Sequence, residues 1–417
     1  MPDSIRGYPL RAFVICLIAY TTAQMDLALF GYAVPAIRAE FGLSLSEVMA
    51  IVSSAFLMGG VLLVLLGWLG DRLGRLPMFQ FSLLGSSVLV ALISIAPGVL
   101  ALTTLRGASI AVGGLSYPIT GAIITEEMPA RLRGFFMGLL QIGYPLGWAL
   151  ASLWSMWILT EYGWRQLFWV GLVSLPMVWV VRRYLREPPR AAAARASEPP
   201  AALSDLFVRG IRERALILFV AQFLFVWAYA ASIFLFPSFL REVRQLDTFD
   251  FSLLIGAGNG IGVLGYVLAA WIGERVWTRR NTVVLWTLLG SVLFQVLVWV
   301  PTTFTQILWV YALMSMFFYG SAAVKFAYLA EIFPTRIRAL AMACCGSLAV
   351  TLGSAAGPYS VSLAIEAWGW HLGYALVVGV PLAGAGLLYL LLDSLPSGLE
   401  VEDIQQRVGH REAAAHG

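Results

Sequence analysis

Apolar residues form long runs along the whole sequence, and short polar segments separate these runs. A helix needs roughly 20 apolar residues to cross the hydrocarbon core of a bilayer. Runs of this length favour helices over the roughly ten-residue alternation that is typical of an outer-membrane barrel. We therefore predict an all-α membrane protein with twelve transmembrane helices. The runs lie near residues 11–35, 47–68, 76–95, 99–124, 134–158, 166–184, 215–237, 252–272, 281–300, 304–329, 339–365 and 371–393.

The second half of the sequence repeats polar features of the first half at a nearly constant offset. Residues 129–133 (Pro-Ala-Arg-Leu-Arg) return as residues 334–338 (Pro-Thr-Arg-Ile-Arg), and Gly-Asp-Arg at 70–72 returns as Gly-Glu-Arg at 273–275. Such a parallel repeat predicts two six-helix halves with a binding site between them, near the middle of the membrane. The two halves are expected to rock around that site.

A polar, arginine-rich segment interrupts the apolar runs between the sixth and seventh helices. We predict that it is a solvated cytoplasmic linker with a short amphipathic helix near residues 202–208. The predicted organisation is an N-terminal half at residues 1–183, the linker at 184–214, a C-terminal half at 215–395 and a cytoplasmic tail at 396–417.

Charge is scarce and unevenly distributed. Only 12% of the 417 residues are charged and 60% are hydrophobic, whereas soluble domains carry about 25% charged residues. If the N-terminus is cytoplasmic, nearly all basic residues outside the helices lie on the cytoplasmic side, which is the positive-inside bias. This bias, rather than nucleic-acid binding, explains the net charge of +4 and predicts that both termini are cytoplasmic. The basic residues expected outside are Arg38, Arg165, Arg241 and Arg244.

The sequence contains no obvious motif for catalysis. No phosphate-binding loop, metal-ligand spacing or nucleophile triad stands out, so we expect neither an enzyme nor a metal or other cofactor. Cys16, Cys344 and Cys345 lie in apolar runs and are expected to pack as small side chains. The first apolar run is too long for a cleavable signal. Arginine-rich, lysine-poor usage suggests a bacterium and therefore its inner membrane, and we expect a monomer.

Asp26 lies near the middle of the first apolar run and is the acidic residue placed deepest within such a run. An acid at the bilayer centre costs about 2.5–3.5 kcal/mol on translocon scales, and such residues usually mark ion pathways. Desolvation disfavours the charged form of a carboxyl, which lets it take up and release protons near neutral pH. We predict that Asp26 carries a coupling proton. The alternative is a purely structural partner for Arg106.

Two basic residues also lie inside predicted helices. Arg106 keeps its charge and needs an acceptor. It either couples the proton site to the carboxylate of a substrate or forms a fixed ion pair between helices. Lys325, the only lysine, lies near the cytoplasmic end of the tenth run. It either snorkels to the cytoplasm, which we favour, or faces an anionic substrate.

Acids and arginines recur at matching positions near the cytoplasmic helix ends of both halves. They set the topology. We predict in addition that they form a network of ion pairs, which keeps the inward face closed until these contacts break. The residues of this predicted gate are Asp71, Arg72, Arg75, Glu126, Arg131, Arg133, Glu274, Glu331, Arg336 and Arg338.

Residues 67–75 (Gly-Trp-Leu-Gly-Asp-Arg-Leu-Gly-Arg) resemble the signature between the second and third helices of the major facilitator superfamily. Arg106 with Gly113 and Gly114 partly matches the fourth-helix arginine motif of that superfamily. The resemblance implies a central cavity whose polar side chains either contact substrate or link helices. In addition to the two buried cations, the candidates are Tyr117, Gln141, Tyr144, Gln222, Tyr229, Asn259, Tyr311 and Tyr319.

Within this superfamily the sequence resembles proton-coupled carriers of organic acids, such as aromatic-acid and sialic-acid symporters. Asp26, Gly31, Tyr32 and Pro35 match the pattern of the first helix in the aromatic-acid group. The resemblance implies import of a small organic anion with protons by alternating access. The alternatives are a proton-driven exporter of drugs or metabolites and a membrane sensor that does not transport.

Overall fold

The described part of the polypeptide contains helices and short connections but no strand. Most of the predicted linker and the whole predicted tail lie outside that part. The computed structural model describes residues 7–186, 208, 211–333, 337 and 340–394, without the side chains of residues 68, 70–72, 130, 131, 133, 330 and 331.

Eleven of the described helices are long and apolar enough to cross a membrane. The last of them, Met342–Leu391, has 50 residues. A straight helix of that size would be about 75 Å long, far more than the roughly 30 Å of a bilayer core. Gly369 breaks it with φ 80° and ψ 165°, a backbone conformation that glycine adopts without steric cost. The segment therefore crosses twice, and the prediction of an all-α protein with twelve spans is confirmed.

With Met342–Leu391 counted as two helices, each half contains six. Those of the first half are α1 (Tyr8–Phe41), α2 (Leu45–Leu73), α3 (Arg75–Ile93), α4 (Val99–Glu127), α5 (130–159) and α6 (Trp164–Tyr184). Those of the second half are α7 (Ile211–Glu242), α8 (Thr248–Arg275), α9 (Arg279–Trp299), α10 (Phe304–Leu329), α11 (342–369) and α12 (370–391). We name the two ends of the bundle after α1, as the Tyr8 end and the Phe41 end.

Polar side chains cap the first turns of several helices. The Thr303 hydroxyl accepts from the Gln306 amide, and the Gln306 side chain accepts from the Thr303 amide, which forms a capping box at α10. Asp247 caps α8 and Thr278 caps α9 through the amide three residues further on. Each cap satisfies backbone donors that have no partner within the helix.

Glycines allow the closest helix contacts within each half. A Cβ atom at Gly147 would lie 2.7 Å from the Met25 amide nitrogen, so only glycine lets α5 approach α1 this closely. In the second half a Cβ at Gly320 of α10 would lie 2.8 Å from the main chain of Gly265 in α8. Small residues at such contacts are typical of membrane helix packing. The helix that carries Asp26 is thus fixed against α5.

The two halves meet where α2 packs on α11, α5 on α8 and α1 on α7. They touch at both ends of the bundle. Arg38 of α1 pairs with Glu242 of α7 at the Phe41 end. Towards the Tyr8 end, a Cβ on Gly138 of α5 would lie 3.2 Å from the Ala270 Cβ of α8. The middle of the bundle is therefore enclosed between the halves.

Candidate functional site

Asp26 lies in the middle of α1 and is buried, with 3% of its surface exposed. Neither carboxylate oxygen has a hydrogen-bond partner among the described residues. An ionised carboxylate in such surroundings would be costly, because nothing replaces the water that it loses. The side chain therefore faces the protein interior rather than lipid, where a proton can neutralise it.

Arg106 of α4 lies against the same stretch of α1, and it is 2% exposed. Its guanidinium donates to the main-chain oxygens of Asp26 at 3.4 Å and Leu27 at 2.6 Å, and its Cζ lies 4.9 Å from the centre of the Phe30 ring. The Asp26 carboxylate and the Arg106 charge attract one another without a hydrogen bond between them. Arg106 thus docks α4 on α1 through carbonyls and leaves the carboxylate free for a proton.

Aromatic side chains cross the interface between the halves next to this pair. Tyr144 of α5 lies 5.2 Å from Tyr229 of α7, measured between ring centres. Tyr229 in turn lies 4.7 Å from Tyr319 and 5.7 Å from Phe225. Because Tyr144 also lies near Arg106, these rings connect the Asp26 region to the second half. Three predicted cavity residues are therefore brought together.

Tyr117 and Gln141 form a second group in the first half. The Gln141 amide donates to the Tyr117 hydroxyl at 3.3 Å. The Tyr117 ring lies 5.6 Å from that of Phe326 in α10, across the interface between the halves. Gln222 of α7 is also buried, at 5% exposed. Tyr117 therefore lies at the interface between the halves, and Gln141 is bonded to it.

Asn259 and Tyr311 lie in the second half, bonded to each other. The Asn259 amide donates to the Tyr311 hydroxyl at 2.9 Å and to the Ile255 main-chain oxygen at 2.9 Å. The Tyr311 ring stacks on Phe236, with 4.5 Å between ring centres. This pattern is typical of a link between helices, so these two candidates hold α8 to α10.

Lys325 does not snorkel to the surface, and the interpretation that we favoured from the sequence is wrong. Its side chain is 2% exposed, and its ammonium lies over the face of the Phe225 ring. Its Nζ has no hydrogen-bond partner among the described residues. The lysine turns towards α7 because an aromatic face attracts a cation there. The position of a lysine near a helix end does not predict where its side chain points.

Two tyrosines of the same region were not predicted. Tyr266 of α8 is 1% exposed, and its hydroxyl lies near that of Tyr229. It follows Asn259 by seven residues, two helical turns, which places both on one helix face and could have revealed it. Tyr20 of α1 lies 5.6 Å from Tyr117 between ring centres, and no sequence spacing distinguishes it.

A family model described as Major Facilitator Superfamily matches residues 16–284 and 263–411. The chain belongs to the Major Facilitator Superfamily. It is therefore a membrane carrier and not an enzyme, and the resemblance drawn from its motifs is confirmed.

Relatives of this superfamily member cover nearly the whole chain. A probable 4-methylmuconolactone transporter of Cupriavidus pinatubonensis is 28% identical over 97% of this chain and 95% of the relative. A cis,cis-muconate transport protein of Acinetobacter baylyi is 25% identical over 88% and 90%. A crystal structure of a bacterial homologue of the human lysosomal transporter Spinster, inward-facing and unoccupied, superposes with a TM-score of 0.65 at 15% identity over 93% and 95%. That likeness shows the shared fold.

Charged residues of this superfamily member pair within each half at the Tyr8 end. Arg75 pairs with Glu126 in the first half, and Glu274 pairs with Arg279 at 2.5 Å in the second. A Cβ on Gly134 would lie 2.8 Å from the Glu274 carboxylate, so the first half abuts this second pair. The remaining predicted gate residues lie outside the described side chains: Asp71, Arg72, Arg131, Arg133, Glu331, Arg336 and Arg338.

Contacts that the sequence did not predict join the halves at the Phe41 end. Glu242 of α7 accepts from Arg38 of α1, and the Ser46 amide of α2 donates to Glu366 of α11 at 2.8 Å. We call these two contacts the Phe41-end latch. Within the second half, Glu242 also accepts from the Trp370 indole nitrogen at 3.1 Å. The latch holds the two halves together at this end.

A cavity of about 500 Å³ lies beside the latch, between α1, α5 and α8. Its wall includes Tyr32, Ala39, Glu40, Leu159 and Arg241. Residues of both halves therefore form this wall.

Replacing Glu242 with glutamine should weaken the latch and favour the state that is open at the Phe41 end. A partly exposed ion pair contributes about 0.2–1 kcal/mol, so the open population should rise by a factor of about 1.4 to 5. The readout is the alkylation rate of a cysteine introduced by Leu159→Cys, a buried position of the cavity wall, relative to the parent without it. Glu161→Gln, at an exposed residue, is the matched control. Equal alkylation rates in both variants would show that the latch does not hold this end.

Proposed function

We propose that this carrier imports a small organic acid together with protons, by alternating access of its two halves. The observation that carries the proposal is the Asp26 carboxylate, which is buried without a hydrogen-bond partner beside Arg106. Intramembrane acids in such positions usually serve ion pathways. The coupling ion is the proton, and no other cofactor enters the proposal.

A proton on Asp26 would change the charge of the enclosed middle of the bundle. With the carboxylate ionised, Asp26 offsets the charge of Arg106, which lies beside it. With the carboxyl protonated, the Arg106 charge is free to attract the carboxylate of a substrate. Substrate and proton therefore favour each other's binding, which is what symport requires.

The chemistry of the interface supports an organic acid as the cargo. Arg106 and Lys325 supply buried cations, and Tyr144, Tyr229 and Phe225 supply aromatic surface between them. Pockets of this kind orient a ligand with a few polar groups among apolar walls. The relatives named for 4-methylmuconolactone, cis,cis-muconate, niacin and gentisate support an unsaturated or aromatic acid.

The proposed location is a bacterial inner membrane, with both termini cytoplasmic and the carrier acting as a monomer. The bacterial relatives support this membrane. The positive-inside distribution of arginine supports this orientation. Inward transport then uses the proton gradient that such membranes maintain.

Proton flux in proteoliposomes tests this function. The purified protein is reconstituted with a pH-sensitive dye inside, and an inward proton gradient is applied with muconate, gentisate or nicotinate outside. Import predicts proton entry that an acid stimulates and that protein-free liposomes lack. Substrate-stimulated proton exit would instead indicate an exporter, and binding without proton movement would indicate a sensor.

A further inference from the structure

The enclosed middle of the bundle holds two cations and one acid among the residues that the structure describes. Arg106 belongs to the first half, Lys325 to the second, and both are 2% exposed. Arg106 donates to main-chain oxygens only, and the Lys325 Nζ has no acceptor among the described residues. Asp26 offsets the Arg106 charge only while its carboxyl is ionised. A buried charge without a counter-ion is strongly unfavourable. Once Asp26 is protonated, both cations therefore need an anionic partner from outside the described side chains to stay charged.

A row of aromatic rings leads from the Arg106 region towards Lys325. Tyr144 lies near Arg106 and 5.2 Å from Tyr229 between ring centres. Phe225, which lies under the Lys325 ammonium, precedes Tyr229 by one turn of α7, about 6 Å along the axis. A ligand that reaches both cations must therefore lie along the rings that separate them.

Charge balance then decides how many negative charges the cargo carries. Asp26 holds a proton in the loaded state under the proposed function, so the enclosed groups carry two positive charges. A monoanion would leave one of these charges unbalanced, whereas a dianion balances both. Moving an unbalanced charge across the low-dielectric interior is costly, so with Lys325 protonated the charge balance favours a dianion as the cargo.

We propose that the transported acid is a dicarboxylate with a flat, unsaturated spacer. One carboxylate pairs with Arg106 and the other with Lys325, and the spacer packs on Tyr144, Tyr229 and Phe225 through its π face. Lys325 is then the residue that selects diacids over monoacids. This inference rests on the proposed function, because it places the coupling proton on Asp26.

The test compares diacids with their own monomethyl esters, which have nearly the same shape but one negative charge fewer. Terephthalate, isophthalate and cis,cis-muconate, each paired with its ester, are used in proteoliposome uptake under an inward proton gradient. The wild-type protein should take up at least one diacid with a half-saturating concentration about tenfold or more below that of its ester, because a charge-assisted contact is lost in the ester.

Lys325→Gln should abolish this preference by raising the half-saturating concentration for the diacid, with little change for the ester. Arg212→Gln, which removes a positive charge from an exposed position of the same half, should keep the preference. Thermal stabilisation of the purified protein by each probe provides a second readout. If Lys325→Gln does not fold, the comparison of diacids and esters in the wild-type protein still tests whether the carrier prefers a dicarboxylate.

Two results would overturn the inference while leaving proton-coupled acid import intact. One is equal or better uptake of every ester than of its diacid by the wild-type protein. The other is a folded Lys325→Gln variant that keeps the preference for diacids. Absence of proton-driven accumulation for any acid would instead overturn the proposed function itself.

Discussion

Asp26→Asn should abolish uphill accumulation of the substrate while exchange across the membrane continues. The amide has nearly the shape of a protonated carboxyl but cannot release a proton. The variant therefore keeps the neutral form in which the loaded halves can move, and it loses the step that ties this movement to the proton gradient. Accumulation driven by a pH gradient should fall to the level of protein-free liposomes.

The measurement uses two assays on the same proteoliposomes. Uphill uptake is followed after a pH jump, and counterflow is followed with unlabelled substrate inside and labelled substrate outside. Glu161→Gln, which removes an exposed carboxylate, should behave as wild type in both assays. Undiminished uphill uptake by Asp26→Asn would remove this residue from the coupling mechanism.

Arg106→Gln should lower kcat/KM for transport by about 10- to 150-fold, because the substrate loses a charge-assisted partner of about 1.5–3 kcal/mol. The substitution also leaves the Asp26 and Leu27 main-chain oxygens without the donors that they have now. Arg106→Lys keeps the charge, but one ammonium cannot reproduce the planar fork that reaches both oxygens. We expect its kcat/KM to fall between those of Arg106→Gln and wild type.

Initial uptake rates over a range of substrate concentrations measure these effects, and the melting temperature of each purified variant reports on folding. A lower melting temperature with unchanged kcat/KM would mean that Arg106 only docks α4 on α1. Equal kcat/KM in Arg106→Lys and Arg106→Gln would mean that its charge is not used.

The helices of the fold were predictable because each apolar run must satisfy its own backbone within the membrane. Met342–Leu391 forms one segment of 50 helical residues, and Gly369 divides it into two spans. The pairing of the two halves was also predictable, since their polar motifs recur at one offset. The contacts between the two halves were not predictable. Arg38 and Glu242, for example, lie 204 residues apart in sequence and meet only because the halves pack together.

The candidate site, too, was only partly predictable from the sequence. Asp26 and Arg106 stood out because charges are rare inside apolar runs, and the structure places them side by side on α1 and α4. The direction of a long side chain is not encoded in its position, so Lys325 was assigned to the surface although it lies on Phe225. For Asn259 and Tyr311 the sequence left both roles open, because polarity alone does not distinguish a ligand group from a partner of a neighbouring helix.

The burial of Lys325 makes its amine a useful spectroscopic probe. The 417 residues contain one lysine, and its amine lies in the enclosed middle of the bundle. Protein grown with isotope-labelled lysine would therefore give a single side-chain amine resonance in a nuclear magnetic resonance spectrum. Its chemical shift would report, without any mutation, when the amine gains a counter-ion during the transport cycle.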